Sequence, residues 1–146
     1  MGNARTMKCW NLTYNDAGRW EEVYAVCGRP LSFWQSVKAG GSGSPRGVLV
    51  SAPGFLGEQL DETSYVKYCN VQRMHDGGLL YCKIRLEVYG LPIRRSEVLR
   101  VERMKRNADA FGILIRIVFR DHRSIDIACD ERNAESWQRF LSGVFH

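Results

Sequence analysis

The sequence predicts a mainly β domain: an antiparallel strand meander, bent into a barrel or sandwich and capped by one C-terminal amphipathic α-helix. Three observations carry this. Apolar residues recur with period two along most of the chain, turn-forming clusters separate the runs at regular spacing, and a period of three to four replaces the alternation only after residue 130.

In chain order, strands are expected at 7–14, 20–27 and 31–37, divided by the turn signals "NDAG" at 15–18 and "GRP" at 28–30. The stretch "KAGGSGSPRG", followed by further glycine and proline through Gly57, reads as a flexible Gly/Ser/Pro loop over about 38–62. An extra hairpin follows over about 64–89, with strands at 65–72 and 79–89 around "HDGG" at 75–78. In "YCKIRLEVY", Cys82, Ile84, Leu86 and Val88 share one face and Lys83, Arg85 and Glu87 the other. A strand at 97–104 precedes "FGILIRIVF", whose inward set is Phe111, Ile113, Ile115, Ile117 and Phe119. The polar turn "RDHR" at 120–123 then leads into "SIDIAC", with Ile125, Ile127 and Cys129 on one face, and the two strands form a hairpin. Asp130 is placed to cap a helix over 131–144, in which Ala134, Trp137, Leu141 and Val144 form the apolar stripe.

At 146 residues, 45% apolar and 25% charged, the chain fits one domain, 1–146, with one core. No apolar run approaches the ~20 residues of a membrane span and no secretory h-region opens the chain, so a cytoplasmic protein is expected. Five cysteines, Cys9, Cys27, Cys69, Cys82 and Cys129, are odd in number and lack a C-x-x-C pair, which reads as reduced core thiols. Cys69, His75 and Cys82 are a loose cluster without metal-ligand spacing, and no metal or other cofactor is expected. His75, His122 and His146 fall at turns and at the last position, and no nucleophile motif surrounds the serines. Glu21 and Glu22 alternate faces on a strand, so the chain is expected not to be an enzyme. Trp10, Phe33 and Trp34 read as barrel core or rim rather than base-stacking platforms, which weighs against nucleic acid.

The net charge of +5 is uneven: Arg94, Arg95, Arg100, Arg103, Lys105 and Arg106 face only Glu97 and Glu102, a local +4. Such a basic surface suits an anionic partner or a solvated strand face.

The meander with a C-terminal helix tryptophan resembles a pleckstrin homology domain. "MKCWNLTY" is similar to that family's first strand, "RWEEVYAVCGRPLSFWQS" to its second and third, and "RSIDIACDERNAESWQRFL" to its last strand and helix, with Trp137 at the helix tryptophan. The resemblance implies a seven-stranded bent antiparallel barrel. Nearly sixty residues separate the third-strand match from the next. Either a long insertion lies there, or the strands after residue 64 supply more of the barrel.

The resemblance also implies a ligand. Many members bind inositol phospholipids through a lysine and two further basic residues on the first two strands, because multiply charged phosphates need convergent charge-assisted hydrogen bonds. Lys8 and Arg19 match the first two positions, but Glu21 occupies the third and repels a headgroup. A weaker site on the outer rim, as in spectrin-like members, would use Arg19 with Arg120 and Arg123. "MGNART" satisfies the N-myristoylation pattern at Gly2, and Cys9 would take a second acyl chain. The expected function is a non-enzymatic module targeting its protein to acidic phospholipid, phosphoinositide or phosphatidic acid, peripherally at the inner face of a membrane. The alternative is a protein-interaction or scaffold module of the same fold, using a sheet edge, a barrel face or the insertion.

Overall fold

In a computed structural model, residues 8–14, 16–39, 41, 43–62 and 66–145 are described. The order is β1 (Trp10–Asn11), α1 (Ala17–Cys27), α2 (Phe33–Lys38), β2 (Gly47–Ser51), α3 (Gly54–Glu62), β3 (Tyr68–Met74), β4 (Gly77–Ile84), β5 (Glu87–Arg94), β6 (Val98–Lys105), β7 (Ile113–Phe119), β8 (Ser124–Cys129) and α4 (Glu131–Phe145). A 3₁₀ turn, Arg95–Glu97, joins β5 to β6. All eight strands form one antiparallel sheet ordered β1-β5-β4-β3-β2-β8-β7-β6.

The expected barrel does not close, because β1 and β6 lie at opposite ends of this order and do not pair. α4 packs across both halves of the sheet instead. Val71, Leu80, Leu91 and Ile93 from one half of the sheet, and Ile115, Ile117, Ile125 and Ile127 from the other, pack in one core with Ala134, Trp137, Leu141 and Val144. The result is sandwich-like, with a helix as cap.

The C-terminal third follows the sequence pattern closely. β6, β7, β8 and α4 fall within a few residues of 97–104, 111–119, 124–129 and 131–144. The inward set Ile113, Ile115, Ile117 and Phe119 is buried as its alternation requires, and Phe111 sits outside β7 at φ 54°.

The N-terminal third does not. The expected strand 7–14 contracts to the two residues of β1, and the expected strands 20–27 and 31–37 are helices α1 and α2. As a strand, 20–27 would place Glu22 on the same face as Trp20 and Tyr24. As a helix, Trp20, Val23, Tyr24 and Cys27 fall on one stripe. That stripe packs with Met74, Leu79, Trp10, Leu12 and Tyr81 in a second cluster. Leu79 and Tyr81 alternate along β4 with Leu80 and Cys82 of the main core, so α1 and α4 cover opposite faces of the sheet.

Side chains mark these helix ends. The Asp16 carboxylate accepts from the amides of Gly18 and Arg19 at 3.0 and 3.2 Å. Gly28 ends α1 at φ 82°, where a Cβ would lie 2.7 Å from the Asp76 amide nitrogen. In α2, Ser32 and Gln35 form a reciprocal capping box.

The middle of the chain corrects three further expectations. The stretch expected as a loop over 38–62 contains β2 and α3, because Val48 and Leu49 pair into the sheet. The expected strand 79–89 is broken at Arg85 and Leu86 into β4 and β5; Arg85 takes φ 59° and Leu86 is 88% exposed instead of inward. The hairpin over 64–89 is therefore not an extra: β3 and β4 are central strands of the sheet. Phe33 and Trp34, expected in the core or rim, are exposed.

Trp137 is 0% exposed and its Nε1 has no hydrogen-bond partner among the described residues, so the ring contributes through packing. Trp137→Ala is expected to cost about 3–5 kcal/mol in urea unfolding, and Trp137→Phe only about 1–2 kcal/mol, since filling most of the volume limits the cavity. A loss below 0.5 kcal/mol for the alanine variant would contradict this packing.

Candidate functional site

Two helix C-termini, two turns and one sheet corner meet at one end of the sheet. The Asp76 amide in the β3–β4 turn donates to the Cys27 carbonyl at the end of α1 at 2.9 Å, and the Arg95 amide donates to the Asp76 carbonyl at 2.8 Å. The Arg120 amide of the β7–β8 turn donates to the Glu97 carbonyl at 3.0 Å.

Helix C-termini leave carbonyls without intrahelical partners and carry the negative end of the helix dipole, so they attract guanidinium groups. Arg94 donates through Nε and Nη2 to the carbonyls of Val26 and Ala25, at 3.1 and 3.2 Å. Arg95 donates through Nε to the Val144 carbonyl of α4 at 2.7 Å, and Arg73 through Nη1 to the Gly143 carbonyl at 3.1 Å. Arg120 Nε donates to the Ser96 carbonyl at 3.0 Å. Burial first, and then the Arg95 charge, lower the pKa of Arg73 from its usual value. Ala25, Val26, Asp76, Arg94, Arg95 and Ser96 line an open cleft of about 510 Å³.

The structure thus joins two groups that are separate in the sequence, bringing Arg120 of the "RDHR" turn beside Arg94 and Arg95 at Ser96. Arg123 forms an ion pair with Asp121 at 2.7 Å, and its hydrogen bond to that carboxylate lowers the Asp121 pKa. Lys8 and Arg19 lie elsewhere. The Lys8 ammonium sits 4.0 Å over the Trp10 ring, and Arg19, near the start of α1, donates to the Asn11 carbonyl. From Arg19 to Ala25 the helix rises roughly 10 Å.

Of the remaining basic run, Arg100 pairs with Glu102 and Arg106 donates to the Phe111 carbonyl at 3.3 Å. Arg103 and Lys105 are exposed on β6, the unpaired edge. Cys69 and Cys82 are cross-strand neighbours in the core, while His75 is exposed at the β3–β4 turn. Among the described residues no group of three or more His, Cys, Asp or Glu is arranged to hold a metal ion. No helix among them is long and apolar enough to cross a membrane. Gly2 lies outside the described residues.

Two features escape sequence reasoning. Arg73 is a lone basic residue in a strand, with no spacing signal to link it to α4. A second groove, of about 350 Å³, is lined by Arg46, Tyr68, Cys69, Asn70, Tyr81, Lys83 and Val88. The Arg46 guanidinium lies 4.3 Å over the Tyr68 ring, and the Tyr81 hydroxyl donates to Gln72 Oε1 at 2.9 Å.

No known protein family matches this chain, and no match was found among curated proteins or solved structures.

The thiols support a pH prediction. Cys9, half-buried against the core, and Cys82 beside it are both pushed up from 9.0 to about 12 by burial, and Cys27 to about 12 by the same cause. The folded state therefore holds protons that the unfolded chain releases above pH ~9. Stability from these groups is complete below pH ~9 and falls as pH rises from there toward about 12. Urea midpoints between pH 8 and 10.5 are expected to decline, with a smaller decline in Cys82→Ala measured against its own pH 8 value.

Proposed function

We propose that this chain is a non-catalytic, pleckstrin-homology-like docking module that brings its protein to acidic phospholipid surfaces through low-specificity basic contacts. At the coarser level the fold is consistent with a peripheral binding or interaction module. The family likeness is supported by the seven strands β2–β8 followed by α4, the complement that the resemblance calls for. It keeps the last strand and helix first matched, β8 and α4, but its other strands run through different residues, with β1, α1 and α2 as an N-terminal addition and α3 inside the β2–β3 connection.

The observation that carries the lipid reading is the convergence of Arg94, Arg95 and Arg120 around Ser96. Each guanidinium has five N–H donors, and main-chain carbonyls take two of those of Arg94 and one each of Arg95 and Arg120. The carbonyls fix the planes of these side chains, and the remaining donors are available to phosphate oxygens. Asp76 in the same cleft argues against a tight, multiply charged headgroup site and for diffuse attraction.

A basic residue near an anionic leaflet contributes about 1 kcal/mol, so Arg94→Gln with Arg120→Gln is expected to weaken binding to phosphatidylserine vesicles roughly 25-fold at physiological salt. Co-sedimentation against neutral, phosphatidic acid and phosphoinositide vesicles measures this, with the melting temperature as the fold control. Unchanged binding by a folded variant would remove this end of the molecule as the lipid contact.

A protein-interaction reading has its own observation. β6 offers an eight-residue unpaired edge with Arg103 and Lys105 exposed, which suits an added acidic strand. Under that reading, Arg103→Glu with Lys105→Glu, both exposed on this edge, would abolish capture of an acidic strand and leave the melting temperature unchanged.

A further inference from the structure

Among the described residues, α2 stands apart from both cores. α2 buries none of its residues, and Phe33, Trp34 and Val37 are 72%, 72% and 57% exposed. The Phe33 and Trp34 rings pack edge to face, with centroids 5.2 Å apart. The helix is held by its own ends: the Gln35 amide donates to Ser32 Oγ at 3.2 Å, and the Ser32 amide donates to Gln35 Oε1 at 2.8 Å. Its three large apolar side chains therefore face water without contributing to either core.

Its position is fixed by the same end that gathers the arginines. The His75 amide donates to the Arg29 carbonyl at 2.9 Å, and Pro30 bridges to Met74, just before α2. Just after α2, Arg73 Nε donates to the Gly41 carbonyl at 3.3 Å, while its Nη1 holds the end of α4. The segment from 29 to 46 contains no aspartate or glutamate; Arg29 in it pairs with Glu21 of α1 at 2.9 Å, and Lys38 and Arg46 are its other basic residues. An apolar projection whose own segment carries no carboxylate, tied on one side to the β3–β4 turn and on the other to Arg73, complements an anionic surface.

We propose that α2 inserts Phe33, Trp34 and Val37 into the interfacial region of an anionic phospholipid bilayer, anchoring the domain there by its arginine-rich end. The inference rests on the lipid reading above and names the element that gives it apolar hold. Two exposed aromatics and a valine present roughly 300–400 Å², about half of what each partner buries in a stable protein interface, whereas a bilayer needs no matching surface. Self-association through α2 would also bring two such basic ends together. Aromatic side chains favour the membrane–water interface, and Lys38 in the last turn can reach back to the headgroups.

The test uses the full chain with vesicles of phosphatidylcholine containing 30 mol% phosphatidylserine. Phe33→Ala with Trp34→Ala is expected to lower partitioning at least tenfold with an unchanged melting temperature, and the deficit should persist in high salt, where basic contacts fade. Lipids brominated near the headgroup should quench tryptophan emission in the wild type. That quenching should disappear in Trp34→Phe, which keeps most of the partitioning. Equal partitioning of wild type and the double alanine variant, or quenching that survives Trp34→Phe, would overturn the role of α2 while leaving the lipid reading intact. If the wild type binds no anionic vesicle, the lipid reading fails and this inference with it. Self-association in the absence of vesicles, abolished by the double alanine variant, would overturn the inference in favour of a second copy as the occupant.

Discussion

β2 is five residues long, and the sheet depends on it. It pairs with β3 through Gly47 and Val48 and with β8 through Val48, Leu49 and Ser51, so it joins the two halves of the sheet. Trp137 of α4 lies over this junction, where a Cβ on Gly47 would approach its ring to 3.0 Å and Ile127 Cγ2 to 2.7 Å. The absence of a side chain at Gly47 lets the largest fully buried side chain of the helix reach the junction of the two halves. Because the sheet is open, α4 takes the place of strand closure, and its packing holds the curvature that places the sheet corner and both hairpin turns at one end.

That geometry also determines which charges remain for function. Both faces of the sheet carry a helix, α4 on one and α1 on the other, and the C-termini of both come to the same end. Their unpaired carbonyls recruit Arg73, Arg94 and Arg95, so a run that looks like a free basic surface in the sequence is partly committed to structure. Arg100 and Arg106 are likewise engaged, by Glu102 and by the Phe111 carbonyl. A local charge count thus overstates attraction, although guanidinium groups anchored along one edge keep donors along the other.

Legibility in the sequence followed how completely one element's pattern determined its packing. In β7, β8 and α4, periodicity, turn residues and burial all agree, and the element bounds fall close to those expected. α1 carried a readable signal as well: Trp20, Val23, Tyr24 and Cys27 at helical spacing behind the cap Asp16. Its valines and aromatics suit strands equally, and the resemblance favoured that state. β2 was hidden by glycine and proline on its flanks, and it becomes a strand only because β3 and β8 stand ready on either side. The turn at Arg85 and Leu86 contains no glycine, asparagine or proline, so nothing local marks it. At the site, the charges of Arg94, Arg95 and Arg120 were visible, but their convergence and the part played by Arg73 depend on contacts between residues distant in the chain.

The balance at the arginine-rich end explains why charge alone would make a weak membrane contact. Four guanidinium groups, Arg73, Arg94, Arg95 and Arg120, share this end with Asp76, with Glu97 and with about one unit of negative charge from two helix ends, leaving a surplus of roughly one. Arg123 adds little to it, being paired with Asp121. On the proposed lipid reading, a surplus of that size would orient the domain on an anionic surface without holding it there. On the same proposal the exposed aromatics of α2 would add an apolar contribution that salt does not screen, and two weak contributions of different physical origin would give reversible attachment where either alone is marginal.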